Sequence, residues 1–220
     1  MPVSSRNVRR LILLRHGQTE WNAGDRMQGQ IDTDLSDLGR TQAKEAAHEL
    51  ATREPIAIVS SDLRRAFDTA AVLAEHAGVS VERDERLRET HLGEWQGLTH
   101  LEVDERSPGA RVAWRTDATT APPGGESRVD VARRSTPVVT ELLEALPEWQ
   151  DKPIILVAHG GLIAALTASL LDLPVDRWPV LGGLANTSWV QLSGHGTAID
   201  AISWRLDVWN ASARVASDVL

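Results

Sequence analysis

The chain has 220 residues, enough for one sizeable domain with its own core, and 42% of them are apolar, ordinary for a soluble globular protein. It carries no cysteine, which excludes disulfides, thiol nucleophiles and thiolate metal sites and fits a reducing compartment. A net charge of −8 argues against a nucleic-acid partner, and no apolar run reaches the roughly 20 residues of a membrane span.

The first fourteen residues are basic and then apolar, but the apolar run Leu11–Leu14 stops at Arg15. A secretory core needs about 7–15 such residues, so a cytoplasmic protein is expected. Arg9–Leu14 reads as a buried strand, being short and apolar nearly throughout. A polar loop follows to Asp34. Ser36 is placed to cap a helix whose apolar face holds Leu38, Ala43, Ala46, Ala47 and Leu50. Ile56–Val59 predicts a second buried strand, Asp62–His76 a helix ending before Gly78, and Val79–Arg83 a short strand. Residues 98–126 give only short helical pieces before the breaker Ala121-Pro-Pro-Gly-Gly125, and an insertion over about 90–126 is expected to cap one face.

A long helix should span about 127–146, with a kink at Pro137. Pro153–Ala158 is the clearest strand, Gly161–Leu171 an apolar helix, and 187–193 and 198–204 closing strands. Alternating β and α units with apolar strands predict a three-layer α/β/α fold over one domain, residues 1–220, around a mostly parallel sheet. The eight Trp, against one Phe and no Tyr, serve as core or interface anchors.

Three predicted strands end in polar residues that a core would not accept: Arg15-His16-Gly17, Ser60-Ser61-Asp62 followed by Arg64 and Arg65, and His159-Gly160-Gly161. Ligands of open α/β sheets bind beyond the carboxyl ends of the strands, so two histidines and at least two arginines would meet at one edge. Arginine offers fixed bidentate donors to phosphate oxygens, and the glycines let backbone approach a ligand. The helix after Gly161 would aim its free N–H groups at the same place. A neutral imidazole with one nitrogen pinned as N–H leaves the other bare to attack phosphorus. His48, His76, His100 and His195 read as structural or surface residues. No cluster of His with Asp or Glu has ligand spacing, so neither a metal nor another cofactor is expected.

Leu13-Leu14-Arg15-His16-Gly17-Gln18-Thr19-Glu20-Trp21-Asn22 resembles the R-H-G-x-T-x-x-N signature of the histidine phosphatase (phosphoglycerate mutase-like) superfamily. Asp34–Gly39, Ser60–Ala66 continuing to Thr69-Ala70, and Val157–Gly161 agree with it in order. The resemblance implies that His16 becomes phosphorylated and that Arg15, Arg65, His159 and Gly160 hold the phosphate. Arg65 rather than Arg64 matches the family's arginine before alanine. Asn22 would help bind phosphate, and Gln28 and Gly29 would line the pocket. Leu87–Gly97 resembles the stretch that carries the proton donor, which implies Glu89 in that role, although Gln96 replaces the usual glutamate of that stretch. Serving a leaving alkoxide calls for a buried carboxyl group there. Glu94 and Glu126 are competing carboxylates, and His91 either touches substrate or packs.

The same site could pass phosphate to a second hydroxyl, as in the mutases, but the tail Trp209–Leu220 lacks their lysine and glycine and the cap is short, which favours hydrolysis. A catalytically dead member that only binds a phosphorylated ligand would not need both His16 and Glu89. At finer grain, Met27–Gln30, Leu87–His100 and Trp204–Ser212 resemble one actinobacterial branch of the family. Its substrate is a glucosylated phosphoglycerate and its product feeds methylglucose lipopolysaccharide synthesis. The resemblance implies a small phosphorylated substrate and a homodimer, with the Trp-rich C-terminal region as either contact surface or core.

Overall fold

The computed structural model describes residues 8–147, 149–196 and 201–213. Strand β1 (Val8–Arg15) divides its apolar run between two layers: Leu11 and Leu13 join one buried cluster, Ile12 and Leu14 the other. Strands β2 (Ala57–Ser60), β3 (Val81–Arg83) and β4 (Pro153–Ala158) lie on one side of it, and β4 is buried at all six positions. β4 runs parallel to β1, with Arg15 opposite Ala158, and β2 and β3 continue the parallel pairing. On the other side, β5 (Trp189–His195) and β6 (Ser203–Ala211) are antiparallel, giving a six-stranded sheet of order β3-β2-β4-β1-β5-β6. Three of the five pairings are parallel, the mostly parallel sheet the alternating units predict.

Among the described residues seven α-helices occur, in chain order α1 (Glu20–Ala23), α2 (Asp37–Ala51), α3 (Arg64–Ala77), α4 (His100–Arg106), α5 (Ala110–Thr116), α6 (Arg128–Ala145) and α7 (Gly160–Leu170). α2 and α3 cover one face through Ala46, Ala47, Leu50, Ala66, Ala70 and Leu73. α6 and α7 cover the other through Val131, Val138, Leu162 and Ile163. Each fully buried Leu or Ile contributes about 1.5–3 kcal/mol by leaving water, so the two clusters hold the layers together.

The ends of these helices follow from local chemistry. Ser36 Oγ accepts the Gly39 N–H at 3.0 Å and starts α2. Gly78, with φ of 71°, ends α3 in a left-handed cap. Ser127 Oγ accepts the Asp130 N–H at 3.1 Å and starts α6, which runs unbroken through Pro137. Pro137 sits on the exposed side of α6, where water can reach the carbonyl that loses its partner.

Some sequence expectations differ from the structure. The loop before Asp34 contains α1, a single turn closed by reciprocal bonds between Thr19 and Asn22, too short for any periodicity to reveal. Leu38 is exposed and Gly39 takes the buried place. The last strand is longer and later than expected, 203–211 instead of 198–204, and positions 198–200 lie outside the described residues. At an edge only one side is covered, so its core-facing residues, Trp204, Leu206 and Trp209, are spaced out by polar ones. Four Trp (95, 149, 178 and 189) are buried, as core anchors should be.

Candidate active site

α2, which follows β1 after the single turn α1, lies on one face of the sheet and α7, which follows β4, on the other, so a crevice opens where these two strands end side by side. Backbone bonds gather the loops there. His16 N–H donates to the Ala158 carbonyl at 3.0 Å, Ser61 N–H to Val157 at 2.9 Å, and Thr187 N–H to His16 at 3.2 Å.

His16 is only 3% exposed. Its Nδ1 stands 2.6 Å from the Gly17 carbonyl, and a carbonyl only accepts, so Nδ1 carries the proton and Nε2 is bare. Burial first, then the Arg65 and Arg15 cations, push this imidazole well below its ordinary value, although the Gly17 bond opposes them. His159 lies beside it, ring centroids 5.1 Å apart, and is shifted the same way by burial, Arg65, His16 and Arg15. Ser61 Oγ accepts the Leu63 N–H at 3.3 Å and contacts His159 Nε2 at 2.9 Å, which suits donation to that nitrogen and leaves Nδ1 as a free N–H donor.

Arg65 is buried, with Nη1 and Nη2 donating to the Ile31 and Gly29 carbonyls at 2.9 and 2.8 Å, and burial brings its pKa down to about 10. Arg15 Nη1 donates to the Leu184 carbonyl, and burial likewise lowers its pKa. Arg15 Nε, Arg65 Nε and His159 Nδ1 are buried without a partner in the protein. Buried donors are nearly always paired, so three orphans around one imidazole mark a place built for an anion.

Arg15, His16, Asn22, Gln28, Gly29, Arg65 and Glu89 line one cavity of about 220 Å³. A second cavity of about 500 Å³ adjoins it and shares Arg15, Glu89, Thr90, Trp114, Arg115 and Gly161. Gly160, Arg128 and the segment 179–184 belong to this outer lobe alone. The Asn22 Oδ1 accepts from Thr19 N–H at 3.1 Å and from Asn186 Nδ2 at 3.3 Å, which fixes the orientation of the amide.

Glu89 stands where the lobes meet, but it is half-buried rather than fully buried as its role led us to expect. Its carboxylate caps α7: Oε1 accepts from Leu162 N–H at 3.1 Å and Thr90 N–H at 2.8 Å, and Oε2 from Gly161 N–H at 3.1 Å. The absence of a side chain at Gly161 allows this, because a Cβ there would come within 2.6 Å of Glu89 Oε1. The other two carboxylates lie elsewhere. Glu94 is exposed, and Glu126 is tied to Arg134 at 2.8 and 2.9 Å and to the His91 N–H at 2.8 Å. Burial pushes Glu126 up, but these donors outweigh it and hold it below the usual carboxylate range. His91 packs in its loop, with Nδ1 3.2 Å from the Gly124 carbonyl. Arg64 is exposed and paired with Asp32 and Asp34.

His100, read from the sequence as structural, lines the inner lobe. Sequence reasoning misses Asn186, which donates to the His16 carbonyl at 3.1 Å, because nothing in Leu184-Ala-Asn-Thr187 signals a site. It also misses Trp114, Arg115 and Arg128, which only the return of 100–128 across the cavity brings near. Among the described residues, no group of three or more His, Asp or Glu could hold a metal ion, and no helix is long and apolar enough to cross a membrane.

Residues 11–211 match the model of the histidine phosphatase superfamily, branch 1. The chain is 66% identical to a glucosyl-3-phosphoglycerate phosphatase of Mycolicibacterium vanbaalenii, over 97% of this chain and 99% of that one. A solved structure of the mycobacterial glucosyl-3-phosphoglycerate phosphatase in complex with VO3 superimposes with a TM-score of 0.91 at 64% identity, covering 93% of this chain and all of the other. Bacillus stearothermophilus YhfR, at 30% identity, gives a TM-score of 0.79 over 93% of this chain and 98% of its own.

Proposed function

The chain belongs to the histidine phosphatase superfamily, and on that premise we propose that it removes the phosphate of glucosyl-3-phosphoglycerate through a phosphohistidine at His16. The observation that carries this reading is the bare Nε2 of a neutral, buried His16 among three unpartnered donors, Arg15 Nε, Arg65 Nε and His159 Nδ1. Two in-line displacements account for the reaction. Nε2 attacks phosphorus while Arg15 and Arg65 neutralise the equatorial oxygens and the neutral His159 and the Asn22 amide donate hydrogen bonds to them, with Gln28, Gly29 and Gly160 shaping the walls. Glu89 gives a proton to the departing alkoxide as the P–O bond breaks. Oε2 accepts one hydrogen bond against several at Oε1, so Oε2 is the oxygen with room for that proton. Glu89 then takes a proton from water as the water oxygen attacks the phosphohistidine, releasing phosphate and restoring His16.

The two lobes suit a substrate with more than a phosphate. Arg115 and Arg128 line the outer lobe and neither makes an ion pair among the described residues. A carboxylate and a sugar attached to the phosphorylated carbon chain would reach them past Glu89. The relatives' activity supports the same substrate. We also read the protein as a single cytoplasmic domain whose 90–126 excursion closes over the pocket, and as a homodimer using the exposed face of β6, where Val208 is open to solvent.

The test is phosphate release without added metal from glucosyl-3-phosphoglycerate, 3-phosphoglycerate and p-nitrophenyl phosphate. The expected result is a strong preference for the glucosylated substrate, lost in His16→Ala. Equal rates on all three would remove the substrate assignment, and undiminished turnover in His16→Ala would remove the mechanism.

A further inference from the structure

Glu89 is held through its backbone by residues that touch neither His16 nor the inner lobe. Its carbonyl accepts two donors, Gln30 Nε2 at 3.0 Å and Arg134 Nη2 at 2.9 Å. Arg134 reaches it from α6 and also donates through Nη1 to the Arg86 carbonyl at 2.6 Å, in the turn just before Glu89. The same guanidinium makes a bidentate pair with Glu126, through Nε at 2.8 Å and Nη2 at 2.9 Å. Glu126 in turn accepts the His91 N–H at 2.8 Å, and its own N–H donates to the His91 carbonyl at 2.8 Å. The segment Arg86–His91 is therefore clamped on both sides of Glu89, from the rigid helix α6 and from the last residues of the 90–126 excursion.

We propose that the Arg134–Glu126 pair positions the proton donor: it fixes the backbone at Glu89 so that the carboxylate meets the leaving oxygen. The inference rests on Glu89 being the acid. Both members are about one-fifth exposed, 20% and 23%, so the pair is shielded from water. An arginine fork satisfies two carbonyls and a carboxylate at once, which a lysine ammonium on its flexible stem does not. A misplacement of about 1 Å far from the chemistry can cost about 10²-fold in rate, so the clamp has a kinetic consequence without touching substrate.

The leaving group separates this role from a merely structural one. An alkoxide needs the proton and p-nitrophenolate does not. Arg134→Lys is expected to lower kcat on 3-phosphoglycerate by about tenfold or more and on p-nitrophenyl phosphate by less than about threefold, with little change in KM. Glu126→Gln, which keeps an acceptor for the His91 N–H, should do the same to a smaller degree. In the double variant Arg134→Lys with Glu89→Gln, the second change should add little, since both act on one proton transfer. Equal losses on the two substrates, or losses that multiply in the double variant, overturn the inference. If Glu89→Gln itself slows both substrates alike, the acid assignment falls and the inference with it. If Glu89→Gln discriminates and Arg134→Lys and Glu126→Gln do not, only the inference falls.

Discussion

Replacing Gly161 with alanine separates stability from catalysis at one atom. Gly161 lies in the first turn of α7, and alanine there should stabilise the helix by up to about 0.5–1 kcal/mol. The added Cβ, however, would lie 2.6 Å from Glu89 Oε1 and 2.8 Å from Thr90 Oγ1. The carboxylate is a movable side chain, so it retreats toward the 3.4 Å of an ordinary contact and loses its bonds to Gly161 N–H and Leu162 N–H, each 3.1 Å long. Those bonds involve a half-buried charge that water can reach, so their loss costs about 0.5–1.5 kcal/mol each. Set against the helix gain, the fold loses at most about 2.5 kcal/mol. The proton donor, displaced by most of an ångström, should cost about 30–100-fold in kcat on 3-phosphoglycerate and under threefold on p-nitrophenyl phosphate. Steady-state rates on the two esters and a urea unfolding curve check both halves. Wild-type kcat on the alkyl phosphate, or equal slowing of both esters, would refute the placement of Glu89 as donor.

The buried imidazoles make a second prediction, in pH. His16 and His159 are held well below the ordinary 6.5, so between that depressed value and 6.5 the unfolded chain binds more protons than the folded one. Stability should therefore be constant above about pH 7 and fall as pH drops through 6.5, by up to about 1.4 kcal/mol per pH unit for each imidazole. Urea midpoints at pH 7.5 and 5.5 measure the fall. His16→Gln should shrink it, and the same fall in the variant would contradict the assignment. A third prediction concerns the outer lobe: Arg128→Gln should raise KM about tenfold for 3-phosphoglycerate, which carries a carboxylate, and leave glycerol 3-phosphate within twofold. Equal shifts for the two esters would place the carboxylate elsewhere.

The histidine pair and Arg15 were legible because they stand at the ends of strands that announce themselves, whereas Asn22, Gln28, Gly29 and Glu89 were readable only through the family resemblance. Leu11–Leu14 and Pro153–Ala158 are apolar runs with no polar interruption, so Arg15-His16 and His159-Gly160 stand out as residues the core expels. Ser36 and Gly78 were readable for the same kind of reason, each being a residue whose local chemistry fixes a helix end. The outer half was not legible. Trp114 and Arg115 sit in the second of two seven-residue helices whose periodicity is too brief to orient, and Arg128 opens α6, a helix whose span was readable but whose approach to the cavity was not. Asn186 acts through a loop that only the turn before β5 brings back to His16. Those contacts are made by chain reversal, which no spacing encodes.

Glu89 shows the limit from the other side. Its place in the sequence pattern was readable, but where a buried carboxyl group was expected the structure has a half-buried one. The carboxylate is instead set by donors from α7 and, through its backbone, by an arginine of α6. Both helices pack in the same apolar cluster against β1 and β4, with Val131 and Val138 from one and Leu162 and Ile163 from the other. His16 and His159 follow those same two strands. The nucleophile and the proposed donor are thus fixed to one rigid layer, and the distance between them is set by core packing rather than by the loops that carry them. Loops tolerate change because water replaces what they lose, whereas a close-packed interior transmits a change of even one methylene. The precision of this site therefore resides in residues such as Val131 and Leu162, which touch no substrate.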